Sequence, residues 1–134
     1  MALTWPPGPA IPRHLLEAAP LSTSGCGSLE PVARRECLRR EADGESLQAQ
    51  AALFELGNVE AGQGDLEASL RTWRESLERF PEGVLHPEVR LAVLIELVRA
   101  RRFAQARAAA QDFEAHCTGD PRSADVGALR RQLP

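Results

Sequence analysis

At 134 residues, with 43% hydrophobic and 26% charged positions, the chain has the length and balance of one globular domain. A net charge of −3 leaves no basic footprint for nucleic acid, and no apolar run approaches the length of a membrane span. All 16 basic residues are arginine; they read as part of a compositional bias toward Ala, Arg, Gly, Leu and Pro, on solvated faces, rather than as a phosphate-binding set.

Residues 1–28 read as a proline-rich flexible leader. Pro6, Pro7, Pro9, Pro12 and Pro20 are followed by Ser, Thr and Gly, a composition that buries too little to offset the entropy of ordering it. The alternative is a docked leader, with Trp5 and the apolar patch 11–16 carried onto the helical domain or onto a partner, as proline-rich segments are. The prolines, Arg13 and Glu17 also interrupt any apolar core of a signal peptide. As written, the chain is expected in the cytoplasm; the periplasm or cell envelope is the alternative if an export signal is missing from it.

A first helix is expected over 30–42, with Ser28 as N-cap, Pro31 in the first turn, and Asp43 and Gly44 as the stop. The stretch 51–81 then reads as two amphipathic helices. Ala52, Leu53, Leu56 and Val59 form the stripe of the first, and Leu66, Ser69, Leu70, Trp73, Ser76, Leu77 and Phe80 that of the second. Gly64 suits the turn between them, Asp65 a cap, and Pro81 the end. A helix over 87–100 is apolar almost all round and belongs between neighbours; its polar exception, Glu96, is expected to pair with Arg99 or Arg102. The next, 103–117, carries Phe103, Ala106, Ala110, Phe113 and Cys117 on one side, and a last helix through Val126, Leu129 and Leu133 covers the end.

Cys26, Cys37 and Cys117 are too few and too scattered for a disulfide scaffold or a zinc site. Packing as small hydrophobes is the favoured role of Cys37 and Cys117. A Cys26–Cys37 bridge is the alternative in an oxidising compartment.

The pattern repeats. Segment RECLRR at 35–40 aligns with RESLER at 74–79, and a shift of 37 residues lays Leu66 on Phe103, Ser69 on Ala106, Trp73 on Ala110 and Ser76 on Phe113. A repeated helical pair is the mark of a solenoid. The residues Leu53, Leu56, Gly57, Gly64, Leu66, Ser69, Trp73, Ser76 and Pro81 resemble the signature of the tetratricopeptide repeat. A second, degenerate copy spans 88–121, with Leu94 where a close-packing glycine is usual. The resemblance implies an all-α fold: a short α-solenoid of antiparallel hairpins, about two and a half repeats, over 29–134. The connector FPEGVLHPEV is similar to those of bacterial cell-envelope members.

No nucleophile, histidine and carboxylate stand at recognisable spacing around His14, His86 or His116, and no lysine is present for a phosphate loop. The expectation is a non-enzymatic chain without cofactor or metal. By the resemblance, the first helices of the hairpins line a groove for a partner peptide or helix, formed by Phe54, Asn58, Ala61 and Gly62 from the clear repeat and Leu91, Ile95 and Val98 from the degenerate one. A scaffold or adaptor binding another protein is the first reading. A structural subunit that self-associates or joins a larger complex is the second.

Overall fold

The computed structural model describes residues 8–16 and 25–134, and among these every regular element is helical: α1 (Arg13–Leu16), α2 (Pro31–Glu41), α3 (Leu47–Gly62), α4 (Leu66–Arg79), α5 (His86–Arg99), α6 (Phe103–His116) and α7 (Ser123–Gln132). No described helix is long and apolar enough to cross a membrane.

Three helix starts are set by a side-chain oxygen that takes an otherwise orphaned amide. Glu30 accepts from Ala33 N at 3.0 Å, Ser46 from Ala49 N at 3.1 Å and Asp65 from Ala68 N at 3.1 Å. The cap of α2 is therefore Glu30 rather than Ser28: with Pro31 at the first helical position, an acceptor placed immediately before it reaches the free amide. Gly64 ends the α3–α4 turn at φ 81°, a conformation open to glycine at little cost.

Packing follows chain order, α2 on α3, α3 on α4, α4 on α5, α5 on α6 and α6 on α7, with α3 also touching α5. The main core joins Leu70, Trp73, Val89, Leu94, Ala106, Ala110, Phe113, Val126 and Leu129, and a smaller one joins Leu38, Ala42, Leu53 and Leu56. Trp73 is fully buried, donates Nε1–H to Phe54 O at 3.2 Å, and lies so close over Gly57 that a Cβ there would overlap the indole. The second hairpin reverses this division of bulk. Leu94 stands at the place of Gly57 and Ala110 at that of Trp73, both 0% exposed, so the large partner moves from the second helix to the first while the space stays filled. At the α5–α6 turn, Arg101 occupies the place of Gly64 and keeps its left-handed backbone, φ 60°.

The arginines depart from expectation. Arg90 is 8% exposed and bonds Asp112 at 2.5 Å, tying α5 to α6. Arg122 holds Glu88 at 2.5 Å and Asp120 at 2.9 Å, and Arg130 holds Glu114 at 2.6 Å. Arg35 reaches the buried carboxylate of Glu60 at 3.3 Å, which also accepts from Thr72 Oγ1 at 2.5 Å. These guanidinium groups are interhelical clamps, because a long stem with a planar fork can leave one helix and meet a carboxylate on the next.

Cys26 and Cys37 form a disulfide across a Cα separation of 5.8 Å, and Cys117 alone remains a buried thiol. The bridge is the alternative realised for Cys37, which also packs as expected against the smaller core; the turn at 25–28 delivers Cys26, fully buried, into that core beside Leu38, Leu53 and Leu56. The segment 11–16 takes the docked alternative, with Leu15 1% exposed and Ile11 packed against the same core. Trp5, and the rest of residues 1–7 and 17–24, lie outside the described residues.

Candidate functional site

The first helices of the two hairpins, α3 and α5, stand side by side, and the docked turn α1 lies against them and touches α7. Between them is a cavity of about 160 Å3 lined by Leu15, Leu16, Phe54, Asn58, Leu91 and Ile95, with Glu88, Ala92, Glu96 and Arg99 around it. Phe54 and Asn58 are one turn apart on α3, and Leu91 and Ile95 one turn apart on α5, so each helix offers a short stripe to the same space. Phe54 and Ile95 are each 8% exposed and Leu91 3%, whereas Asn58 is exposed at the edge.

Of the groove residues expected from the sequence, these four come together. The other three do not line the cavity. Ala61 packs against the main core, Gly62 is exposed at the end of α3 with open space around it, and Val98 is 5% exposed within the core. Helical periodicity assigns a residue to a side of its helix but does not say how far along the helix a groove extends. Leu15 and Leu16 belong to the 11–16 patch, one candidate occupant of the groove on the sequence alone; Glu88, Ala92 and Arg99 stand outside the expected set, although positions 88, 92, 95, 96 and 99 recur at three- and four-residue intervals on α5 and carry that signal in the sequence.

The rim is charged but internally compensated. Glu96 accepts from Arg99 at 2.9 Å, the pairing expected, while Arg102 pairs instead with Glu67 at 2.6 Å. Glu88 is held by Arg122, whose hydrogen bonds also hold the Asp120 carboxyl below the usual carboxylate range. An apolar floor with neutralised edges favours an apolar side chain over an ionic ligand. Leu15 is such a side chain: the chain itself supplies the present occupant, a single helical turn introduced by Pro12, whose carbonyl accepts from Leu15 N at 3.0 Å.

A second polar cluster joins the start of α5 to the end of α6. Arg90 donates Nε to His86 Nδ1 at 3.2 Å, and His116 lies 3.1 Å from Asp112. Burial, with the Arg90 and His116 charges, lowers the pKa of His86. Burial raises that of Cys117, which suits a packed thiol rather than a nucleophile. Among the described residues, the group with metal-ligand spacing is Cys26, Cys37 and Glu41, none of which lines the groove.

No protein-family model, no curated protein and no solved structure matches this chain.

Proposed function

We propose that the chain is a protein-interaction module of tetratricopeptide type, a scaffold or adaptor that holds a short apolar helical segment of a partner protein in the groove between α3 and α5. The carrying observation is the burial of Leu15, 1% exposed, against the wall containing Phe54, Leu91 and Ile95. A groove that already accepts one leucine-bearing turn defines what a partner must present, in the manner of helix-in-groove recognition. The 37-residue shift, the exchange of bulk between Gly57–Trp73 and Leu94–Ala110, and the left-handed residue retained at both hairpin turns support the repeat reading.

The test uses the full chain with Leu15→Asp, which expels the resident side chain, and a fluorescent peptide of residues 8–16. The variant should bind the peptide saturably, the wild type should bind it far more weakly, and adding Ile95→Arg should abolish binding. Equal affinity of Leu15→Asp with and without Ile95→Arg would show that the groove is not the receptor.

One observation favours the second reading, self-assembly. Leu29 and Val32, 37% and 61% exposed, stand at the start of α2, the first helix of the stack. Sedimentation would show a dimer that Val32→Glu dissolves; a monomer at high concentration removes this reading.

A further inference from the structure

The corner where the chain enters α2 holds a constellation the groove does not use. Cys26 Sγ, Cys37 Sγ and one carboxylate oxygen of Glu41 all lie within 4.8 Å of one another. Cys37 and Glu41 are four residues apart on α2 and share a face. Cys26, 0% exposed, is brought to them by a short turn in which its carbonyl accepts from Leu29 N at 3.1 Å and the next carbonyl, that of Gly27, accepts from Arg34 Nη2 at 2.9 Å. In the disulfide form, Glu41 Oε2 is buried without a hydrogen-bond partner. Buried polar atoms are almost always satisfied, and each exception calls for a reason.

We propose that Cys26, Cys37 and Glu41 form a redox-gated site for a thiophilic divalent cation, zinc foremost: a disulfide when oxidised, a three-ligand metal site when reduced. Two thiolates and one carboxylate with a fourth position left to water is a ligand set that suits tetrahedral Zn2+. Bonds of about 2.3 Å to sulfur and about 2.1 Å to oxygen place such ligand atoms ~3.5–3.8 Å apart; the Glu41 oxygen already lies within 4.8 Å of both sulfurs, and reduction of the disulfide frees the sulfurs to separate to that spacing. Sulfur donors exclude Ca2+ and Mg2+, which require oxygen cages. Charge agrees as well. Two thiolates and a carboxylate carry three negative charges, the ion neutralises two, and the Arg34 guanidinium, bonded to the backbone next to Cys26, offsets the third.

The chemistry balances in each direction. A dithiol reductant delivers two electrons and two protons to the Cys26–Cys37 bond and leaves as its own disulfide; zinc then displaces both thiol protons. In reverse, a disulfide-class oxidant accepts two electrons from the thiolates, the S–S bond reforms and the ion is released. The orphaned oxygen of Glu41 is thus the ligand of the reduced state, left behind in the oxidised one.

The experiment uses the full chain carrying Cys117→Ala, so that the two cysteines of the site are its only thiols. Reduced anaerobically and freed of reductant, it is titrated with Co2+ as a spectroscopic probe and then with Zn2+. One equivalent of Co2+ should produce sulfur-to-cobalt charge transfer and the visible bands of a tetrahedral site, Zn2+ should bleach them, and the oxidised chain should bind neither. Glu41→Gln should weaken binding roughly tenfold or more, and Cys37→Ser should abolish it. Should reduction loosen α2, zinc must restore the lost helicity. Absence of stoichiometric binding to the reduced chain, unchanged affinity in Glu41→Gln, or loosened helicity that zinc fails to restore would each overturn the proposal.

Discussion

Replacing Gly57 by alanine tests the packing on which the α3–α4 hairpin depends. In a helix interior this exchange ordinarily stabilises by about 1 kcal/mol, because glycine loses more backbone entropy on folding. Here the new methyl would enter the volume of the Trp73 indole, which is fully buried and bonded to Phe54 O at 3.2 Å. Over-packing of this kind costs ~1–3 kcal/mol, and an indole N–H pushed off its carbonyl while buried costs ~1 kcal/mol or more. After the propensity gain is subtracted, Gly57→Ala should destabilise by about 2 kcal/mol, a fall in melting temperature of roughly 8 °C for a domain of this length. Urea unfolding followed by circular dichroism measures it. The sharper measurement is the double-mutant cycle. In a Trp73→Leu background the clash is gone, so Gly57→Ala should become stabilising by about 1 kcal/mol. A neutral or stabilising effect in the wild type, or the same sign in both backgrounds, would refute this account of the interface.

Arg101 holds at φ 60° a conformation that Gly64 adopts in the preceding turn; Arg101→Gly should relieve the left-handed strain and raise stability by about 1 kcal/mol, read from the urea midpoint. Arg90→Met keeps the buried stem but removes the donor to Asp112 Oδ2 and to Pro81 O, and should cost about 2 kcal/mol by thermal unfolding. The lowered pKa of His86 means that the unfolded chain binds the proton first, so stability is fully present above about pH 6.5 and declines as pH falls toward the folded value. His86→Gln should flatten that part of a melting-temperature profile. Asp120, likewise lowered, adds stability that is lost only below about pH 4, and Asp120→Asn should remove that further loss. Opening the Cys26–Cys37 bridge, which closes a loop of sequence separation 11, should cost at most about 3 kcal/mol in metal-free buffer, measured as the difference between oxidised and reduced unfolding.

The order of helices α2 to α7 and the identity of the core were legible because both rest on local periodicity: the stripes through Leu53 and Leu56, through Ser69, Trp73 and Ser76, and through Ala106, Ala110 and Phe113 are all buried; α3 begins at Leu47 rather than at the expected 51, because the Ser46 cap precedes the apolar stripe. Even the drift of the second hairpin could be read, since Leu94 over Ala110 has the compensating size that Gly57 over Trp73 demands. What periodicity could not show were contacts whose partners are distant in sequence. Arg122 meets Glu88 across 34 residues and Arg35 meets Glu60 across 25, and nothing in either neighbourhood names the other. The disulfide depended on the path of the turn at 25–28, which no stripe describes. Of the groove, Phe54, Asn58, Leu91 and Ile95 followed from the side of the helix they share; Ala61, Gly62 and Val98 lie off the cavity because its extent is set by where α1 sits, a tertiary fact.

The covalent continuity between α1 and the anchored Cys26 sets a concentration scale for anything that would enter the groove. Ten peptide steps from Leu16 to Cys26 cannot exceed ~35 Å. A released Leu15 therefore stays within a sphere of about that radius, equivalent to a local concentration of roughly 10 mM or more. The proposed partner, at about 1 μM, would face a competitor about ten-thousandfold more concentrated and would have to bind better by about 5.5 kcal/mol to displace it. On the proposed reading, the groove would respond to strong partners and ignore weak ones, a threshold written in the number of peptide steps between Leu16 and Cys26.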